Sequence, residues 1–144
     1  MKEILKPLAI ANNNITQAAN TRVDHVLLTL GNLYRIYNMG LIEPEIRVSV
    51  LSSLEKRWDA ADQELFIVTL CLNPYIQHQA FKATLPRMEL ISMAERVFKR
   101  VFEVDMTGIE FMTAMMDYLD GKGSYSEENM QLAMWKGKFE NEVS

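Results

Sequence analysis

Thr21-Arg22-Val23-Asp24-His25-Val26-Leu27-Leu28-Thr29-Leu30-Gly31-Asn32-Leu33-Tyr34-Arg35-Ile36-Tyr37-Asn38-Met39-Gly40 is the stretch that decides the fold class. Val23, Val26, Leu27, Leu30, Tyr34 and Tyr37 recur at spacings of three and four, which puts them on one side of a helix and is incompatible with the two-residue alternation of a strand. Thr21 stands where an N-cap belongs, Asp24 follows three residues on as in a capping box, and Gly40 closes the run. The same spacing spreads in both directions. Upstream, a helix over about 6–19 takes Pro7 in its first turn, where a missing N–H costs nothing, although Asn12-Asn13-Asn14 favours it poorly.

Downstream, Pro44 opens a third helix over about 44–60, with Ile46, Val50, Leu54, Trp58 and Ala61 on its apolar side and Glu55, Lys56, Arg57 and Asp59 elsewhere around it. Leu65–Leu72 is continuously apolar and stops at Asn73-Pro74. Periodicity alone leaves it a buried helix or a buried strand, and its helical neighbours favour helix. Residues 75–85 read as a connection. Pro86 begins an amphipathic run lined by Leu90, Ile91, Ala94, Val97, Phe98, Val101 and Phe102, with Arg87, Glu95, Lys99 and Arg100 facing outward.

Thr107-Gly108-Ile109-Glu110 has capping-box spacing ahead of Ile109, Met112, Met115, Met116 and Leu119, and the helix ends near Asp120. Gly121-Lys122-Gly123 breaks the chain, Ser124-Tyr125-Ser126-Glu127 offers a second capping box, and Met130, Met134 and Phe139 give a last helix its apolar side. The expectation is an all-α, bundle-like domain of about seven helices over residues 1–144, without internal repeat or low-complexity tract.

Composition sets the bounds. A chain of 144 residues suits one domain, and 49% apolar residues can fill its core, which argues against disorder. Fifteen Lys and Arg against 19 Asp and Glu give a net charge of −4, the wrong sign for a protein that binds nucleic acid through its overall charge. The single cysteine, Cys71, cannot form an internal disulfide and fits a reducing, intracellular setting. The N-terminus, Met1–Pro7, has no apolar stretch of signal-peptide length and no window of the chain approaches a membrane span, so no membrane association is expected.

Catalytic and metal chemistry finds little support. Asp117–Ser126 has the glycines of a calcium loop, but aligning Gly123 with the invariant glycine puts Tyr118 and Lys122 at ligand positions and Asn129 where a bidentate glutamate is required. His25 and Asp24 are adjacent on a helix and point about 100° apart, so they do not pair as base and orienting acid. His78 has no second metal ligand at a helical spacing. Asp59, Asp62 and Glu64 cluster near a helix end, where Asp62 reads as an N-cap and Glu64 as a favourable first-turn charge rather than as a magnesium site. Cys71 lies in the most apolar run and reads as core.

Met112, Met115, Met116, Met130 and Met134 read as packing between the last two helices rather than as an open methionine groove. Lys56 and Arg57, with Lys99 and Arg100, are the candidate phosphate contacts, but without a basic excess or an aromatic stacking platform a solvated face is the better reading of them. No cofactor, metal or small-molecule substrate is indicated.

Leu51-Ser52-Ser53-Leu54-Glu55-Lys56-Arg57-Trp58-Asp59-Ala60-Ala61-Asp62-Gln63-Glu64-Leu65-Phe66-Ile67, followed by Leu72-Asn73-Pro74, resembles the hAT superfamily of transposases, especially fungal members. In that family a Leu-Glu-Lys-Arg-Trp helix leads into an apolar helix ending in a Leu-Asn/Asp-Pro turn. Leu5–Ala11 and Asp24–Tyr34 resemble the helices that precede it, and Asp117–Tyr125 resembles a later Tyr-Leu-x-Gly-x-Gly turn. The likeness covers nearly the whole chain, with the Lys-Arg-Trp to Asn-Pro stretch its most specific part.

The resemblance implies a piece of a ribonuclease-H-like transposase, in which three dispersed carboxylates hold two metal ions and cut DNA. By the same resemblance the early acids belong upstream of this region, and the last glutamate belongs to a C-terminal dimerisation segment whose Ser-x-Glu-Arg pattern is absent after Trp135. The family's base-stacking tryptophan sits in Thr-Arg-Trp-Asn-Ser, also absent, so that role does not pass to Trp58. Leu54, Trp58, Phe66, Asn73 and Pro74 are expected to be packing residues of the motif.

The expected function is that of a non-catalytic scaffold or interaction module in DNA handling. It would have a protein partner or self-association, with DNA contact and nuclear residence implied by the resemblance alone. One alternative is an independent helical adaptor without a DNA role. The other is a metal-dependent nucleic-acid-processing enzyme drawing its acids from Asp59, Asp62, Asp105 or Asp117.

Overall fold

A computed structural model describes residues 2–16, 22–39, 42–81, 83–103 and 108–136. Among them there is no strand, and the elements are α1 (Lys2–Thr16), α2 (Val23–Met39), α3 (Pro44–Asp59), α4 (Gln63–Cys71), α5 (Arg87–Phe102), α6 (Gly108–Asp120) and α7 (Glu127–Met130). The all-α reading holds, and the Leu65–Leu72 run is helical as far as Cys71, with Leu72 already in the turn that follows. No helix of the described residues is long and apolar enough to cross a membrane. The chain divides into two compact units, Met1–Leu70 and Cys71–Ser144.

In the first unit α2 packs against both α1 and α3. Ala11, Leu33, Tyr37 and Leu54 bury one another, with Leu8, Leu30, Ile42, Val50 and Leu51 packed around them. Tyr37 is fully buried, and that burial pushes its phenol up, opposed by a backbone hydrogen bond with Leu8. Leu33 and Tyr37 face inward while Tyr34 is exposed, so the buried stripe of α2 is rotated from the one expected. The sequence permits either choice, because both sets obey helical spacing, and packing on two neighbours selects between them.

Pro7 lies inside α1 rather than in its first turn, since the helix begins at Lys2. There it removes the hydrogen bond that an amide at position 7 would donate to the carbonyl of Glu3. Pro44 takes the first position of α3 as expected. Asp62 caps α4, its Oδ1 accepting from the Leu65 amide at 3.2 Å, and Glu64 lies in that helix's first turn. Thr21 and Gly40 lie outside the described residues, as do positions 17–19 of the first expected helix.

The second unit centres on α5 against α6. Leu90, Ile91, Ala94 and Val97 are buried on α5, and Phe111, Met115, Tyr118 and Leu119 on α6. Two expectations fail here. Val101 and Phe102 are 55% and 60% exposed, because the apolar stripe outruns the packed part of α5. On α6 Ile109 is 74% exposed, while the aromatic residues Phe111 and Tyr118 turn inward. Glu95, expected outside, is half-buried and pairs with Lys99 at 2.8 Å, one turn along.

The end of α6 follows the sequence closely. Gly121, at φ 62°, takes the left-handed conformation, and the amides of Gly121 and Lys122 return to the carbonyls of Tyr118 and Asp117 at 3.2 and 2.8 Å. Beyond it, Gly123–Tyr125 forms one turn of 3₁₀ helix. The cap of α7 is Ser126, which accepts from the Asn129 amide at 3.3 Å, and not the Ser124–Glu127 pair. That last helix is interrupted at Gln131, φ 49°, and resumes over 132–136. Met134 is 57% exposed, so the methionines do not form the expected seam between the last two helices; Met115 is buried and Met112, Met116 and Met130 are half-buried. Thr107 and Phe139 lie outside the described residues.

Candidate interaction surface

Leu54 is buried in the first unit's core. Trp58, half-buried, meets Phe66 edge-on, with ring centroids 6.1 Å apart and planes at 64°. Gln63 Nε2 donates to the Trp58 carbonyl at 3.2 Å, tying the end of α3 to the start of α4. Asn73 makes the turn after α4. Its side-chain oxygen accepts from the Tyr75 amide at 3.0 Å, and its carbonyl accepts from the amides of Ile76 and Gln77 at 3.0 and 2.8 Å. Pro74 occupies the next turn position, half-buried.

Lys56 and Arg57 are exposed in the last turn of α3, and Lys99 and Arg100 in the last turn of α5. Cations there offset the negative end of the helix dipole, which accounts for both pairs without a ligand. The two pairs belong to different units.

The chemistry-bearing residues are otherwise occupied. His25 is exposed. Its neighbour Asp24 is fully buried and gripped by Arg22, Nε to Oδ1 at 3.0 Å and Nη2 to Oδ2 at 2.8 Å, the forked geometry of a guanidinium on a carboxylate. Sequence reasoning missed this pair: Arg22-x-Asp24 reads as an ordinary acidic first turn, and only burial distinguishes it. Cys71 is 1% exposed, and burial pushes its thiol up to about 11, far from the thiolate a nucleophile needs. The Tyr118 hydroxyl donates to the Cys71 carbonyl at 3.1 Å, and burial, with smaller contributions from Cys71 and Tyr125, raises that phenol to about 12.

Asp120, in the turn that resembles a calcium loop, accepts from Arg87 at 2.6 Å and Lys122 at 2.9 Å. Those hydrogen bonds, Lys122's the larger, hold its carboxyl below the usual range. Arg87 also donates to the Met116 carbonyl at 3.2 Å, near the C-terminal end of α6. Of the acids offered for metal chemistry, Asp59 is exposed, Asp62 is a cap, and Asp117 is half-buried in the other unit. Asp105 and the side chain of His78 lie outside the described residues. Among those residues no three His, Cys, Asp or Glu side chains gather as a metal site would require.

What the first unit does present is concave apolar surface. A groove of about 610 Å³ runs between α1 and α2, lined by Lys6, Pro7, Ile10, Ala11, Leu28, Thr29, Asn32, Leu33 and Ile36. Ile10 and Leu28 stand 52% and 44% exposed along it. A smaller cleft of about 150 Å³ lies between α2 and α3 and is lined by Leu27, Leu30, Tyr34, Leu54, Glu55 and Trp58. Neither is visible as a motif, since each is made by two helices whose relative rotation the sequence leaves open. No protein family, curated protein or solved structure matches the chain.

Proposed function

We propose that the chain is a non-catalytic helical interaction module, a fragment or domesticated remnant of a hAT-like transposase serving as a scaffold in DNA handling. The observation that carries the interaction reading is the α1–α2 groove: mainly apolar walls with exposed Ile10 and Leu28, and Lys6, Thr29 and Asn32 as polar lining residues. Its composition suits an amphipathic helix laid apolar side down. The transposase part of the reading rests on the Leu51–Pro74 stretch and the turn at Asp117–Tyr125. The edge-on contact of Trp58 with Phe66 and the Asn73 turn are in keeping with a structural role for that stretch.

The interaction reading is tested by selecting helical peptides from a displayed library on the full chain, with Ile10→Asp as the counter-target. Peptides with one apolar face, binding the native chain at least about tenfold better, are expected. Enrichment of peptides that bind both equally would overturn it. The DNA part is tested by binding to duplex and single-stranded DNA across a salt series with magnesium or manganese present. Salt-sensitive binding without cleavage is expected, metal-dependent cleavage would replace the scaffold by an enzyme, and no binding at low salt would leave a protein adaptor alone.

A further inference from the structure

We infer that Ser124 is a phosphorylation site for a protein kinase that selects acidic residues after its acceptor serine. The Ser124-Tyr125-Ser126-Glu127 spacing reads as a capping box, yet the cap of α7 is Ser126, which accepts from the Asn129 amide. Ser124 is left with an exposed hydroxyl that makes no hydrogen bond among the described residues. Glu127 and Glu128, three and four positions on, are exposed too, and their side chains take part in no ion pair or hydrogen bond there. A free hydroxyl followed by unpaired carboxylates suits a kinase with a basic substrate groove, whose cations gain most from acids that give up no partner to meet them.

The competing acceptors are less available. Ser126 is half-buried, engaged as the cap, and has Asn129 at the third position. Tyr125 meets the buried Tyr118 edge-on, ring centroids 5.4 Å apart. Ser52 and Ser92 have Glu55 and Glu95 at the same spacing, but they lie inside α3 and α5, and the Ser92 hydroxyl donates to the Met88 carbonyl at 3.0 Å. A kinase takes its acceptor segment extended, so those helices would have to unwind. Around Ser124 little stands in the way. Lys122 and Ser126 are already extended, at φ −100° and ψ 159° and at φ −64° and ψ 153°, only a turn of 3₁₀ helix separates them, and α7 is four residues long. An element that short opens at far lower cost than a packed helix.

In the transfer, a bond forms between Ser124 Oγ and the γ-phosphorus of ATP while the bond to the β-phosphate oxygen breaks. ADP leaves, and the hydroxyl proton goes to the kinase's own base. The product adds a charge of about −1.5 to −2 to a stretch, 121–130, whose one cation is Lys122, itself held by Asp120 at 2.9 Å.

The site goes beyond the module reading above, since it lies in the second unit and the α1–α2 groove in the first. The full chain is incubated with ATP, magnesium and the acid-directed casein kinase II, in a preparation shown to be active on casein. Tandem mass spectrometry of proteolytic peptides then locates the phosphate. One phosphate per chain, on Ser124, is expected. Ser124→Ala, at an exposed position, removes it and leaves the circular dichroism spectrum unchanged. Glu127→Gln lowers kcat/KM for the transfer about tenfold, and Glu128→Gln lowers it less. Absence of phosphate on Ser124, or a rate there indifferent to Glu127→Gln, would overturn the assignment. So would modification of Ser52, Ser92 or Ser126 as fast as that of Ser124, because spacing or acidity alone would then decide. Peptide selection at the groove is unaffected by any of these results.

Discussion

Both units bury a phenol that makes a backbone hydrogen bond, Tyr37 in the first and Tyr118 in the second, but the first also buries a charge. The first buries a carboxylate, Asp24, and grips it with Arg22, whose side chain remains 60% exposed. The second buries a phenol, Tyr118, and satisfies it with one hydrogen bond to a backbone carbonyl. A buried charge demands a matched charge or a costly desolvation, whereas a neutral hydroxyl needs only an acceptor. The first arrangement is therefore the more fragile to a single substitution, and it stands at the start of the helix that forms both grooves.

That contrast can be broken at its strongest point. Arg22→Ala leaves Asp24 without its guanidinium. A buried pair that loses one partner costs several kcal/mol, and because the arginine is largely solvated here the expected loss is nearer to about 2 kcal/mol, read from the urea midpoint. A loss under about 0.5 kcal/mol would place the pair among ordinary surface bridges and remove the asymmetry between the units.

Tyr118→Phe is the matching change in the second unit, and its expected cost is about 1 kcal/mol, the net worth of one hydrogen bond. A pH signature separates it from the first. Folding raises the Tyr118 phenol from 10.0 to about 12 and the Cys71 thiol from 9.0 to about 11, so the folded state holds both protons more tightly than the unfolded one. The resulting stability is fully present below pH 9 and drains away as pH rises towards 12. Urea unfolding between pH 8 and 12 should show the decline, shallower in Tyr118→Phe. A flat profile would deny that the phenol is shielded.

The gentlest probe runs the other way. Gly31 lies in the interior of α2, and a Cβ added there meets nothing within 4 Å. Gly31→Ala should stabilise the first unit by about 0.5–1 kcal/mol in thermal unfolding, through helix propensity alone. Destabilisation would mean that α2 is less regular at this point than an ordinary helix.

Much of this fold is written in local chemistry. The three-and-four spacing of α2, α3 and α5, the first-position Pro44, the Asp62 cap and the Gly121 stop each need only neighbouring residues to act. What was hidden depends on packing between helices. Leu33 rather than Tyr34 faces inward on α2, and Phe111 rather than Ile109 on α6, because two overlapping stripes satisfy the same period and neighbouring helices choose. Pro7 reads as a helix start because prolines start helices more often than they interrupt them. The α2–α3 cleft is illegible for a related reason: Glu55 and Trp58 are visible on one helix, but the spacing of α2 places Tyr34 in the core.

The second unit also carries its own clock. Cys71 is the chain's one sulfhydryl and is 1% exposed at the end of α4, with the Tyr118 hydroxyl on its carbonyl. An alkylating reagent can reach it only while that region opens, so the native chain, without any engineered label, reports the frequency of such openings as a rate of modification. Ligands that leave the second unit untouched should leave that rate unchanged.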